Sequence, residues 1–151
     1  VIDPGDDYFK IKKELGFLSV KGVLITHKHF DHIGALDELL KDYDVVVYSK
    51  DNLKEGITNI SDFIFEVIYT PGHTVDSVTY YFENDKMMFT GDFLFKNNIG
   101  RCDLPTGDFD MMKKSLSKIK KYKVDTVIYP GHGEDSTLDY EFNNNYYLFT
   151  N

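Results

Sequence analysis

Short apolar runs alternate with polar segments along the chain. Runs rich in β-branched and aromatic residues predict six strands, at Gly22–Thr26, Val45–Ser49, Phe63–Tyr69, Ser77–Glu83, Lys86–Thr90 and Thr126–Tyr129. Apolar positions at helical spacing predict three helices, at Tyr8–Leu15, Ile33–Lys41 and Phe109–Lys121, with Asp108 as the N-cap of the last. Alternating strands and helices indicate a layered α/β fold, and residues 1–151 are expected to form one domain.

Polar side chains suited to chemistry follow four of these strands. The segments are Thr26-His27, Thr70 before His73, Gly91-Asp92, and Pro130 before His132. Strand ends are rigid positions from which loops can direct side chains at a common point. The pattern therefore predicts a single site at one edge of a sheet.

Net charge and the length of the apolar runs indicate which classes of partner the protein does not bind. The formal net charge is −8, whereas a surface that follows nucleic-acid phosphates needs clustered Lys and Arg. The lysines between positions 113 and 123 have the spacing of a solvated helix face. No apolar run approaches the ~20 residues that span a bilayer. We expect neither nucleic acid nor membrane as a partner, and the single cysteine, Cys102, fits a reducing cytoplasm.

The densest chemistry is the segment Thr26-His27-Lys28-His29-Phe30-Asp31-His32. Imidazole is a common zinc ligand, and neutral His with carboxylate suits Zn, Fe or Mn. Alternation places His27, His29 and Asp31 on one side of a locally extended segment, while His32 approaches from the turn into the next helix. Such a cluster is large enough for two metal ions.

The remaining two of the five histidines share one context. His73 and His132 both lie in Pro-Gly-His, and Asp92 lies in Thr-Gly-Asp. A glycine beside a ligand permits a sharp turn and close backbone approach. The shared context indicates one metal site that includes all five histidines.

The order His-x-His-x-Asp-His, Pro-Gly-His-Thr, Gly-Asp and Pro-Gly-His-Gly resembles the metallo-β-lactamase superfamily, from residue 1 to about residue 142. The resemblance implies an αββα sandwich with metals at one edge. It assigns one ion to His27, His29 and His73, and a second to Asp31, His32 and His132, with Asp92 bridging the two. Strands that the family has before Asp3 are absent, so the sandwich is expected to lack its first strands.

Within the superfamily, Gly91–Phe95 and Gly100–Pro105 resemble the glyoxalase II branch, which hydrolyses thioesters such as S-lactoylglutathione. Zinc β-lactamases usually have a cysteine where Asp92 stands, which argues against antibiotic hydrolysis. The chain departs from the branch at Asp76, usually a small residue, and at Cys102, usually Thr. It also has only a short segment after His132, whereas glyoxalase II has a C-terminal helical domain for glutathione.

The expected enzyme is a dinuclear metal hydrolase acting on a small thioester or ester, with zinc as the expected metal and iron or manganese also suited. A hydroxide between two ions about 3.5–4 Å apart would be the nucleophile. Asp31 and Asp92 are the candidate catalytic residues, and Asp31 would also steer the proton. Arg101 would contact a substrate carboxylate or pair with Asp103 or Asp108. Asp3 is expected to order its turn or a ligand.

Three alternatives use the same side chains. A mononuclear iron persulfide dioxygenase would need only His27, His73 and Asp92, and would leave Asp31, His32 and His132 without a role. A lactone or ester hydrolase would use the same two ions. A binding module without catalysis would require a closed site, whereas seven ligands for two ions leave positions for water and substrate.

Overall fold

The computed structural model describes residues 1–149. Its helices are α1 (Tyr8–Leu15), α2 (Phe30–Ile33), α3 (Leu36–Asp42), α4 (Phe109–Ile119), α5 (Leu138–Asn144) and α6 (Tyr146–Phe149). Its strands are β1 (Val23–Leu24), β2 (Val47–Tyr48), β3 (Gly56–Ile60), β4 (Phe63–Tyr69), β5 (Val78–Phe82), β6 (Met87–Gly91), β7 (Leu94–Phe95), β8 (Asn98–Ile99), β9 (Val127–Pro130) and β10 (Ser136–Thr137).

The strands form one large mixed sheet and two small ones. The large sheet has six strands in the order β10-β9-β6-β5-β4-β3. All its neighbours are antiparallel except β6 and β9, which are parallel. A separate parallel pair, β1-β2, is extended by a bridge from Ile2 to Leu24. Strands β7 and β8 form a hairpin.

Three apolar clusters separate four layers. The first cluster lies between the large sheet and the helices α4, α5 and α6, with Met88, Leu116 and Ile128 fully buried. The second lies between the large sheet and the β1-β2 pair. The third joins that pair to α1 and α3. Helices, small sheet, large sheet and helices therefore follow one another, and the αββα sandwich expected from the sequence is confirmed.

The second cluster continues into an apolar groove of about 400 Å³, lined among others by Leu18, Phe63 and Phe89. The groove lies beside the start of the chain and away from the histidines. Phe63, in the lining of the groove, is 52% exposed. Whether further strands precede Asp3 stays a prediction.

Several predicted elements differ from those observed. The helix expected at Ile33–Lys41 is divided into α2 and α3, because the Ala35 amide donates to the Pro4 carbonyl (2.9 Å) instead of continuing one helix. The strands expected at Gly22–Thr26 and Val45–Ser49 shorten to two residues each. Strands β3, β7, β8 and β10 and helices α5 and α6 were not predicted from the pattern.

No helix among residues 1–149 is both long enough and apolar enough to span a membrane. The longest, α4, has 11 residues and one buried face formed by Met112, Leu116 and Ile119. Its N-cap is Asp108, whose side chain accepts from the Met111 amide at 2.9 Å, as expected from the sequence.

Candidate metal centre

All seven predicted ligands meet at one edge of the sandwich. Strands β4, β6 and β9 run in the same direction, so their carboxyl ends lie at the same edge of the large sheet. His73 follows β4, Asp92 follows β6 and His132 follows β9. The segment after β1 brings the other four side chains from the neighbouring layer. The fold thus joins four loops that are far apart in sequence.

The first group consists of His27, His29 and His73. The His29 Nδ1 atom lies 3.0 Å from His27 Nε2 and 3.0 Å from His73 Nε2. All three donor atoms lie within 4.8 Å of one another, close enough to share an ion. The three rings present nitrogen atoms to a common point, which is the arrangement that an N-ligated metal requires.

The second group consists of Asp31, His32 and His132, whose donor atoms also lie within 4.8 Å of one another. His132 Nε2 lies 3.0 Å from Asp31 Oδ2. Asp92 lies between the two groups, since its Oδ2 atom is 3.5 Å from His73 Nε2 and 3.6 Å from His132 Nε2. The assignment of one ion to each group, with Asp92 bridging, stays a prediction that this geometry accommodates.

Two orphaned polar atoms support a bound cation. His32 Nε2 and Asp92 Oδ1 are buried without a hydrogen-bond partner, although they lie 3.2 Å apart. An unsatisfied buried acceptor is costly, and such atoms are expected where an ion is bound. The donor set of imidazole nitrogen and carboxylate oxygen fits Zn, Fe or Mn. The residues present therefore fit divalent metal ions.

Charge and burial set the protonation of this cluster. Burial, helped by the neighbouring His32, lowers the pKa of His27 to about 3, so its ring is neutral at physiological pH. Burial also acts to lower the pKa of His32, but the carboxylates of Asp3 and Asp92 prevail and raise it to about 10. For Asp92, burial acts to raise the pKa, yet the contact with His32 leaves it below the usual value. Asp92 is therefore a carboxylate.

The ligands are oriented by partners outside the cluster. Asp3 accepts hydrogen bonds from the Thr26 amide (2.7 Å) and hydroxyl (2.6 Å), and its Oδ2 lies 2.7 Å from His32 Nδ1. This arrangement confirms that Asp3 orders a ligand. His73 Nδ1 donates to the Arg101 carbonyl at 2.8 Å, because a carbonyl can only accept. The Nε2 atoms of both histidines are thereby directed at the site.

The two groups differ in exposure at Asp31 and His132, whereas His32 of the second group is only 2% exposed. His27 and His73 are 1% and 3% exposed. The side chains of Asp31 and His132 are 57% and 54% exposed. Phe30, next to Asp31 in the chain, is 82% exposed. Substrate can therefore reach the centre from the Asp31 and His132 side.

The segment after β1 departs from the predicted geometry. His29 is extended (φ −65°, ψ 147°), but α2 begins at Phe30, so Asp31 lies in a helical turn. The prediction that His27, His29 and Asp31 share one side of an extended segment is therefore wrong for Asp31. The helical turn separates Asp31 from the first group and directs it to His132 instead.

The backbone at Gly131 packs closely against two predicted ligands. A Cβ atom there would lie 2.5 Å from Asp92 Oδ1 and 2.5 Å from the His32 ring. Only glycine allows the chain to pass this close to two predicted ligands. The Pro-Gly-His motif before His132 therefore has a steric reason in the structure.

Arg101 takes the ion-pair alternative left open by the sequence. Its Nε and Nη2 atoms each lie 2.7 Å from an oxygen of Asp103, in a bidentate and exposed pair. A contact of this guanidinium with substrate stays a prediction. Cys102 is half-buried and its Sγ lies 3.4 Å from the Gly100 carbonyl; burial raises the pKa of the thiol. It is not an activated nucleophile.

The sequence pattern missed two buried polar residues behind the site. Glu141 and Asn145 are both 0% exposed, and they hydrogen-bond to each other and to the β7-β8 hairpin. The segment Leu138-Asp139-Tyr140-Glu141 has the composition of a solvated helix, so its local sequence does not indicate that Glu141 is buried. The sequence feature that could have drawn attention to this region is the run of asparagines at 143–145, which includes Asn145.

Comparison with known proteins identifies the family. A model of the metallo-beta-lactamase superfamily matches residues 1–61 and 50–132. The chain belongs to this superfamily. It is 39% identical over 146 residues to a hydroxyacylglutathione hydrolase of Hahella chejuensis, which covers 87% of this chain and 56% of that protein. The chain therefore spans about half the length of that relative.

Two solved structures share the fold closely. The BLEG-1 B3 metallo-beta-lactamase superposes with a TM-score of 0.90 at 30% identity, covering 97% of this chain and 87% of that one. TTHA1623 in a di-iron-bound form superposes with a TM-score of 0.89 at 30% identity, covering 97% and 88%. These similarities show the fold and support a metal-binding role for the His/Asp groups.

Proposed function

We propose that this protein is a metal-dependent thioester hydrolase of the glyoxalase II type, acting on a small hydroxyacyl thioester. The observation that carries the proposal is the convergence of five histidines and two aspartates into two adjacent groups joined by Asp92. The similarity to a hydroxyacylglutathione hydrolase supports a thioester as the bond that is hydrolysed. The net charge of −8 agrees with a small-molecule substrate rather than nucleic acid.

The ligand roles follow from position. His27, His29 and His73 would hold one ion, and Asp31, His32 and His132 a second. When bound, two such ions supply a water of lowered pKa and polarise a carbonyl oxygen. The chain itself keeps His27 neutral by burial and holds Asp92 as a carboxylate between the groups.

We assign proton transfer to the exposed side of the centre, at Asp31 and His132. Asp31 lies at the open side, 3.0 Å from His132, where its carboxylate can accept a proton from an incoming water. A thiolate leaving group, with a pKa of about 8.5, departs without a strong acid. Thioester cleavage therefore needs no strong general acid at the open side, whereas cleavage of a poor leaving group does.

The deciding experiment combines metal content with assays on a thioester and a persulfide. Protein purified without added metal is analysed for elements and then assayed with S-lactoylglutathione under oxygen monitoring. We expect about two divalent ions per chain, thiol release and no oxygen uptake. One iron per chain with oxygen consumed on a persulfide would replace the hydrolase with a dioxygenase. The di-iron form of TTHA1623 makes iron in both positions a compatible result, provided that no oxygen is consumed.

A second candidate, β-lactam hydrolysis, is favoured by the similarity to the B3 metallo-beta-lactamase. An amide nitrogen must be protonated to depart, and Asp31 is the exposed carboxylate able to return a proton there. A penicillin assayed beside the thioester separates the two functions. Turnover of the thioester at least 100-fold above that of the lactam is the expected result, and the reverse order would select the lactamase.

A further inference from the structure

Glu141 on α5 is a fully buried carboxylate that the metal centre does not use. Its Oε1 accepts from the Ser136 hydroxyl at 2.5 Å. Its Oε2 accepts from the Asn97 amide and from Asn145 Nδ2, both at 2.8 Å. A buried carboxylate is costly unless such donors satisfy it, so this one is bound to a defined geometry.

These bonds fix the β7-β8 hairpin. Asn97 lies in its two-residue turn with φ +60°. Asn145 Nδ2 also donates to the Asn98 carbonyl (3.1 Å) and lies 3.4 Å from the Phe95 carbonyl. Glu141 on α5 and Asn145, the C-cap of that helix, therefore contact an amide on the turn and a carbonyl on each strand. A two-stranded hairpin this short is not stable alone, so its position depends on these contacts.

The hairpin is followed by residues that contact two predicted metal ligands, Asp92 and His73. Its first strand begins two residues after Asp92, and its second strand is followed by Gly100 and Arg101. A Cβ atom at Gly100 would lie 1.8 Å from the Asp92 carbonyl, so the returning strand packs directly on the Asp92 backbone. The next carbonyl, of Arg101, accepts from His73 Nδ1 at 2.8 Å. Moving the hairpin would move both contacts.

We propose that Glu141, together with Asn145, is a positioning residue for the metal centre. The two residues fix the hairpin, and the hairpin sets the place of Asp92 and the ring orientation of His73. Neither residue touches a predicted ligand. The inference rests on the proposed function only in taking Asp92 and His73 as metal ligands.

The test is the metal affinity of Glu141→Leu in the full chain. Leucine keeps the site filled but removes both acceptor oxygens, so the Asn97 amide and Asn145 Nδ2 lose this partner. Affinity for Zn²⁺ is measured by competition with a chelator, and the visible spectrum is recorded with Co²⁺. We expect affinity to fall about tenfold, within the range known for residues that orient ligands, and the Co²⁺ spectrum to change in shape.

Two control variants separate positioning from stability. The Ile119 side chain, at the end of α4, is fully buried. Ile119→Ala therefore opens a cavity without removing any of these hydrogen bonds. Ser136→Ala removes the bond to Oε1 and leaves both bonds to the hairpin side. Both controls should keep the wild-type Co²⁺ spectrum and Zn²⁺ affinity within about twofold. If Glu141→Leu does not fold, Asn145→Ala, which removes the bonds to the hairpin carbonyls, is measured in the same way.

Unchanged affinity and spectrum in the folded variant would overturn the proposal, as would an equal fall in Ile119→Ala. Altered metal binding in Glu141→Leu or Asn145→Ala, with both controls unchanged, supports it. The proposed function is tested separately by turnover of the wild-type protein. Tight metal binding without thioesterase activity would refute that function and leave the positioning role intact.

Discussion

The two halves of the metal centre differ in how they are held. His27, His73 and Asp92 are buried and hydrogen-bonded or packed from behind, whereas Asp31 and His132 are more than half exposed. The buried half sits between the two sheets of the sandwich. The exposed half extends from α2 and from the loop after β9 toward solvent.

The difference separates two requirements of such a site. Ligands that must not move are fixed by packing and by partners such as the Arg101 carbonyl. Predicted ligands that face substrate, Asp31 and His132, stay accessible and are held by less packing. Because the halves share Asp92, a change there affects both, whereas changes elsewhere should affect one.

The largest effect is expected for Asp92→Ala. It removes the only carboxylate between the two groups and leaves His32 Nε2 facing a void. We expect turnover to fall by at least 10³-fold, about 4 kcal/mol of transition-state stabilisation, and metal content to fall below one ion per chain. Elemental analysis and steady-state assay measure both. Retained activity would refute the two-ion mechanism.

His32, the buried member of the second group, should give the metal-free protein a pH dependence. The pKa of His32 is raised to about 10 when folded, against about 6.5 when unfolded. Its stabilising contribution is therefore complete below pH 6.5 and is lost as pH rises toward 10, by an amount on the order of several kcal/mol. Urea unfolding of chelator-treated protein measures this slope. Asp3→Asn should flatten it, and a slope unaffected by that change would contradict the assignment.

His27→Ala and His132→Ala compare the halves directly. Both remove a predicted ligand and should lower metal affinity. Only His27→Ala opens a buried cavity, so the free energy of unfolding of the metal-free protein should fall by about 2–3 kcal/mol, against less than about 0.5 kcal/mol for His132→Ala. Denaturant titration checks the pair. Equal destabilisation would mean that burial does not distinguish the halves.

Gly131→Ala and Gly133→Ala form a matched pair on one loop. The first adds a methyl group 2.5 Å from Asp92 Oδ1 and His32, while the second has open space but φ +82°. We expect Gly131→Ala to lower Zn²⁺ affinity about 10- to 100-fold. Gly133→Ala should cost about 1 kcal/mol of stability and leave affinity nearly unchanged. Similar affinities for both variants would exclude a steric role for Gly131.

The smallest effect is expected for Asp103→Asn, which breaks the exposed pair with Arg101. Exposed pairs contribute about 0–1 kcal/mol, so thermal stability should hardly change. The variant frees the guanidinium for a substrate carboxylate. A lower KM with unchanged kcat would support the predicted contact of Arg101 with substrate, whereas an unchanged KM would argue against it.

Much of the site could be predicted because its chemistry is local. The segment from His27 to His32 and the two Pro-Gly-His motifs combine ligand-type side chains with the glycines that such turns need. Strand ends could be located from apolar runs, and parallel strands bring their carboxyl ends to one edge. Long, strongly patterned elements such as α4 and β4 were therefore predicted within two residues.

The missed elements lack such signals. Strand β3 alternates exposed and half-buried residues at a sheet edge, so its apolar pattern is weak. The hairpin β7-β8 has two residues per strand, too few for any periodicity. The turn of α2 at Phe30 could not be seen in a segment read as extended. In each case contacts from distant residues decided the local conformation.

The sequence by itself predicted the candidate ligand set, with Asp92 between two groups, and determined the superfamily and the order of the main strands and helices, because these depend on residue type and short-range spacing. Only the tertiary structure decided which of these side chains are buried and that Arg101 pairs with Asp103. It alone placed Glu141 behind the centre. Burial and hydrogen-bond partners come from residues distant along the chain, so Glu141 is buried by the hairpin although its helix reads as solvated.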